Sequence, residues 1–303
     1  MFGKLIKMQT EKKERKLDNW LEEHDKATPF PKDVRLTENV DYFGDGKATH
    51  RMDIYYPCEY TEEPTEKLPV LINIHGGGFL LGKKETNRLF CADMSKWGFV
   101  VFCLEYPLAP EANIFEIFRD LTVGIDRVAE IADDYGADPS QFYLCGDSAG
   151  AYLCTYLAAM QNEPEIAKAA GCQPIKPKIL GLGLQSGMFY TGKRDKIGTF
   201  LPKLIYGKGW RNKPFYPYIN PEHPRLVRSL PPCFLLTSKD DFLYRYTQKF
   251  AAALEKNGMK HRLLCRTSEK ELPHAFATMM PETFDAEQAN MEMTLFFFHE
   301  CGK

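Results

Sequence analysis

No apolar run in the 303-residue chain approaches the roughly 20 residues that a membrane-spanning helix needs. Cysteine pairs at CxxC spacing are also missing. The nine cysteines are scattered and odd in number, which suggests neither a disulfide framework nor a zinc site. Cys103 in VVFCLEY and Cys233 in PPCFLLT lie in apolar runs and read as small buried hydrophobes. Charge of one sign is not in excess: the formal net charge of −2 gives no electrostatic reason to expect a nucleic acid or an anionic membrane as partner. The first twenty residues, MFGKLIKMQTEKKERKLDNW, lack the apolar centre of a secretory signal. A reducing cytoplasm is the compartment these absences lead us to expect.

What is present fits a globule with a substantial core, at 44% hydrophobic and 26% charged residues. Residues 1–28 are rich in Lys and Glu with Leu5, Ile6, Leu17, Trp20 and Leu21 interspersed, a pattern of one or two amphipathic helices. From about residue 38 short apolar runs take over: HRMDIYYP, LPVLINIHGGG, GFVVFCLEY, QFYLCG, KILGLGLQS, CFLLTS and HRLLCRT read as strands. Helical stretches such as IFEIFRDLTVGIDRVAEIADDYG and RYTQKFAAALEKNG lie between them and end on glycines. Alternation of this kind means βαβ units and a mainly parallel sheet covered on both faces. Residues 187–224, dense in aromatics, Gly and Pro, break the alternation between two strands. An insertion there would lie over the sheet's carboxyl edge as a lid.

Ser148 is the centre of G-x-S-x-G in YLCGDSAGAYL, with a strand candidate before it and a helix candidate after it. The pattern makes a tight, strained strand-to-helix turn that lifts the serine oxygen to the top of the sheet. His75-Gly76-Gly77-Gly78 follows a buried strand some seventy residues earlier. Residues without side chains let a carbonyl approach the main chain, so that free N–H groups bind its oxygen as it becomes an oxyanion. Neither G-x-G-x-x-G nor a GK[ST] ending follows, as a phosphate-binding loop would require.

A serine hydroxyl needs a base to take its proton and a carboxylate to orient that base. Histidine is the base to expect, because its unperturbed pKa lies near 6.5. Of seven histidines, His274 in ELPHAFATM follows the last strand candidate and sits in a loop. Asp240 and Asp241 both follow the strand CFLLTS, and one of them would orient His274.

These residues resemble the hormone-sensitive-lipase-like branch of the α/β-hydrolases, a family of carboxylesterases. HGGGF at 75–79, YPLAPE at 106–111, GDSAG at 146–150, LPP at 230–232, DFL at 241–243 and HAF at 274–276 carry the resemblance in the family's order. It implies an α/β-hydrolase fold, a mostly parallel central sheet flanked by helices. A helical cap would come from residues 1–35 and 187–224, with the core in 36–186 and 225–303. It further implies Ser148 as nucleophile, His274 as base, Asp241 as the acid through its D-x-L pattern, and Gly77, Gly78 and Ala149 as oxyanion-hole donors. Departures are Pro107 for the usual arginine, Ala151 and Ala275 for glycines, and a missing proline near Phe115.

The expectation is a serine carboxylesterase acting on small short-acyl esters and water, with no metal and no cofactor. Phe79, Phe189, Tyr190, Tyr206 and Trp210 would line its pocket or pack the cap. An exposed edge strand could pair copies into a homo-oligomer. A sugar-ester deacetylase or a peptidase/amidase would use the same scaffold. A non-catalytic small-molecule receptor would be expected to lack His274.

Overall fold

The computed structural model describes residues 2–58 and 66–301. Eight strands form one sheet among these residues: β1 (Val34–Asp41), β2 (Arg51–Pro57), β3 (Leu68–Ile74), β4 (Val100–Leu104), β5 (Ala137–Asp147), β6 (Ile179–Gln185), β7 (Cys233–Ser238) and β8 (His261–Arg266). Their order is β1-β2-β4-β3-β5-β6-β7-β8. The pairs β1/β2 and β2/β4 are antiparallel, and every pair from β4/β3 onward is parallel. The carboxyl ends of β3, β5, β6, β7 and β8 therefore lie along one edge.

The helices are α1 (Phe2–Ala27), α2 (Arg88–Lys96), α3 (Ile114–Ile131), α4 (Ala149–Asn162), α5 (Pro164–Ala170), α6 (Lys196–Ile205), α7 (Pro224–Arg228), α8 (Tyr244–Lys256), α9 (Phe276–Met279) and α10 (Phe284–Glu300). They cover both faces of the sheet. Val70, Ile72 and Ile74 of β3 share a buried cluster with Phe118 of α3, Leu157 of α4 and Phe250 of α8. Leu71, between them in sequence, belongs to the opposite cluster with Phe90 of α2 and Met293 and Phe297 of α10. With both faces buried, these strands read as unbroken apolar runs instead of alternating ones. Asn113 starts α3 by accepting from the Phe115 and Glu116 N–H groups, and Gly136 closes the following turn at φ +72°.

β1 is the strand that the sequence pattern does not announce. Its VRLTENVD is half-exposed and polar, as suits an edge strand. Its pairing with β2 slips between Thr37 and Val40, where Asn39 takes φ +60° and donates its N–H to Asp53 Oδ1 at 2.8 Å.

Residues 187–224, between β6 and β7, hold α6 and two short turns at Trp210–Asn212 and Tyr216–Ile219. A buried hydroxyl pair fastens this segment to α4, with Tyr152 and Tyr206 meeting at 2.7 Å, and within the segment Tyr206 also meets Thr191 at 2.6 Å. α1 is held from outside by ion pairs of Asp18 with Lys83 (2.8 Å) and Asp25 with Arg88 (3.2 Å) and by a hydrogen bond between His24 and Glu282 (3.1 Å).

α4 crosses β3 at very close range. A Cβ added to Gly150 would lie 1.9 Å from the Ile74 carbonyl oxygen, so a side chain there must push the helix off the sheet. Gly150→Ala is expected to cost about 1–3 kcal/mol, as overpacking does, read as a lower urea midpoint with unchanged slope. An unchanged midpoint would contradict this packing.

Candidate active site

Ser148 occupies the turn between β5 and α4 with φ +51° and ψ −111°, a conformation costly for any residue with a Cβ. Neighbouring backbone enforces it. The Ser148 N–H donates to the Gln185 carbonyl at 2.8 Å, and its own carbonyl accepts from Met188 N–H at 2.9 Å. The first turn of the 14-residue α4 begins immediately after it, which places the positive end of a helix dipole beside the serine.

Asp241 follows β7 and His274 follows β8. His274 Nδ1 lies 2.7 Å from Asp241 Oδ1, which also accepts the Leu243 N–H at 2.8 Å, while Thr237 Oγ1 donates to Oδ2 at 3.1 Å. Asp240 does different work: its Oδ2 accepts the Leu272 N–H at 3.0 Å and holds the loop leading to the histidine. Burial pushes the Asp241 carboxyl up, but hydrogen bonds and charge from His274, the Leu243 N–H and the Ser186 hydroxyl outweigh it and hold the group below its ordinary value. It stays ionised and fixes the imidazole so that Nε2 is the nitrogen free to take a proton.

No hydrogen bond joins Ser148 Oγ to His274 among the described residues, but the backbone brings their carriers to one place. The Ala275 N–H donates to Ser186 Oγ at 3.1 Å, and Ser186 follows Gln185, which holds the Ser148 N–H. β5 and β7 are two strands apart, roughly 10 Å.

The third component is the loop after β3. Gly77 and Gly78 take φ +109° and +64°, and a Cβ on Gly77 would sit 1.7 Å from the Leu81 carbonyl oxygen. The N–H groups of Gly77, Gly78 and Ala149 donate to no acceptor among the described residues. Asp147 ties this loop to the serine turn, its Oδ1 accepting Gly76 N–H at 3.0 Å and the Asn87 amide at 2.9 Å. Below the loop, buried His75 contacts Glu105 Oε1 at 3.0 Å and stacks on Tyr106 at 4.3 Å. Burial alone would favour neutral His75, but Glu105, the Gly76 carbonyl and Asp147 outweigh it and raise its pKa. Among the described residues no three His, Cys, Asp or Glu side chains are gathered as metal ligands would be.

A profile of the alpha/beta hydrolase fold matches residues 71–278, more than half of the chain and all three components of this site. The chain belongs to that family. A probable isoprenylcysteine alpha-carbonyl methylesterase of Oryza sativa is 28% identical over 235 residues, covering 73% of this chain and 55% of the relative. An acetyl esterase of Salmonella schwarzengrund is 25% identical over 194 residues, covering 60% and 58%. The chain thus spans little more than half the length of these curated relatives. The crystal structure of esterase B from Lactobacillus rhamnosis superposes with a TM-score of 0.88 at 19% identity, covering 97% of this chain and 95% of that one.

Several residues of this candidate site carry no motif signal. Ser186, Asn87, Glu105 and Asn73, which accepts from the Asn87 amide at 2.9 Å, support the loops through contacts between distant segments. Of the aromatic candidates, Phe79, Phe189, Tyr190 and Tyr206 are buried, and Trp210 is partly so. Phe189 stacks on Phe250 of α8 at 4.2 Å, and Tyr190 meets Tyr246 edge-on. Phe79, at φ +66°, packs edge-on against Tyr152.

Asp241→Asn keeps the shape but removes the charge and the tautomer control, and is expected to lower kcat by about 10⁴-fold. Because the folded value of Asp241 is depressed, its stabilising effect is complete above the ordinary carboxylate value near 4 and fades as pH falls below it. Wild type should therefore lose its urea-midpoint advantage over Asp241→Asn as pH drops toward 3. A pH-independent difference would contradict an ionised Asp241.

Proposed function

We propose that this hydrolase is a serine carboxylesterase. The observation that carries the reading is the Asp241–His274 contact at the same sheet edge as the strained Ser148 and the unspent N–H groups of Gly77, Gly78 and Ala149. In this reading His274 Nε2 takes the Ser148 proton as Oγ attacks the ester carbonyl. Negative charge collects on the carbonyl oxygen, and the three N–H groups and the α4 dipole stabilise it. One such donor is typically worth about 2.7–4 kcal/mol of barrier. Collapse of the tetrahedral intermediate breaks the C–O bond, and His274 gives its proton to the departing alcohol. Water then attacks the acyl-enzyme with the same base, returning Ser148 and releasing the acid.

Small short-acyl esters are the proposed substrates. The names of the relatives, a methylesterase and an acetyl esterase, support an ester with one small half. Phe79 and Tyr206, buried against Tyr152 of α4, are proposed to limit acyl length. α1 and residues 187–224 are the proposed cap, and Phe189, Tyr190 and Trp210 are proposed to shape it. A reducing compartment belongs to the same reading, since all nine cysteines are free and seven are buried.

The test is an ester panel from p-nitrophenyl acetate to decanoate, run beside a peptide-amide panel. Wild type is expected to hydrolyse acetate and butyrate best, and Ser148→Ala to fall by about 10⁴-fold or more. Amide cleavage exceeding ester cleavage would favour a peptidase. A folded chain inert to both panels would leave a binding protein as the better account.

A further inference from the structure

Phe242 is two-thirds exposed (68%). Its ring centroid lies 4.3 Å from that of His274 at an interplanar angle of 44°, and among the described residues the imidazole is the one ring it meets. Asp241, immediately before it, is fully buried on the inner side of the imidazole, whereas the imidazole itself is 23% exposed. The acid and the phenyl ring thus bracket the base, one from within and one from solvent. Phe242 is fixed there by its own turn, because the Leu243 N–H that follows it is bound to Asp241 Oδ1.

We propose that Phe242 reads the alcohol half of the ester and favours alcohols that carry an aromatic group. The inference rests on the esterase reading above and deepens it. His274 must place Nε2 within about 2.6–3.2 Å of the alkoxy oxygen to return a proton to it. A substituent one or two bonds beyond that oxygen is then in van der Waals reach of a ring that already touches the imidazole. The acyl half leaves the carbonyl carbon on a different bond from the alkoxy oxygen, so the proton transfer to that oxygen does not itself bring it to Phe242. An aryl group gains most, because aromatic pairs settle at centroid separations of about 4.5–7 Å and the outer surface of Phe242 is open to receive one.

The experiment compares benzyl acetate with ethyl acetate, which share an acyl group and release alcohols of similar acidity. Wild type is expected to prefer benzyl acetate in kcat/KM. In Phe242→Ala that preference is expected to fall by about tenfold or more, while ethyl acetate stays within about threefold of wild type and keeps its pH profile. Phe242→Trp is expected to retain the preference. An equal loss on both esters, or a shifted pH profile on ethyl acetate, would overturn the inference by showing that Phe242 acts through the imidazole. No loss on either ester would overturn it as well. A thermal midpoint matching wild type guards against misfolding, and Phe242→Leu provides a second variant with an aliphatic side chain. Wild type inert to both esters would bring down the esterase reading itself, an outcome distinguishable from the others.

Discussion

One carboxylate sets the geometry on which the rest of the site depends. Asp147 precedes Ser148 in the chain and accepts the N–H of Gly76, which leads the glycine loop. The serine turn and the glycine loop are therefore joined through a buried side chain. The fit leaves no slack: a Cβ on Gly76 would come within 2.1 Å of Asp147 Oδ2. Asp147 receives a second hydrogen bond from the Asn87 amide. Asn87 is itself bound to Asn73 of β3, so the clamp closes onto the strand that carries the loop.

Strain is concentrated where this clamp acts. Among the described residues five non-glycine residues have positive φ, and four of them, Phe79, Ser148, Ser186 and Ala275, lie along the carboxyl edge of the sheet. Each is held by hydrogen bonds from another segment: the Phe79 carbonyl by Ala109 N–H, Ser148 by Gln185 and Met188, and Ser186 and Ala275 by one another. Such conformations cost about 1–3 kcal/mol each and persist only when the surroundings impose them. The parallel sheet provides that rigidity.

The interior strands were legible because burial on both faces demands continuous apolar runs, as in LPVLINI and CFLLTS. β1 was not, since an edge strand half open to solvent and broken by a bulge at Asn39 carries little pattern. α6 was hidden by its shortness and by Pro202 within it. The serine turn and glycine loop announce themselves because backbone demands select glycine at fixed spacing. Asp240 and Asp241 could not be told apart from residue chemistry alone. Their adjacent positions point different ways in the turn, one to Leu272 and one to His274. Phe242 occupies the variable position of the D-x-L pattern, and its own significance lies in a neighbour 32 positions away.

The central claim is that His274 and Asp241 make the Ser148 oxygen a nucleophile. Covalent labelling with an organophosphate ester, followed by intact-mass analysis and peptide mapping, tests it without assuming any substrate. The account predicts one adduct per chain, on the peptide containing Ser148, lost in Ser148→Ala and greatly slowed in His274→Ala. Labelling on another residue, or labelling at Ser148 that proceeds equally fast without His274, would contradict it.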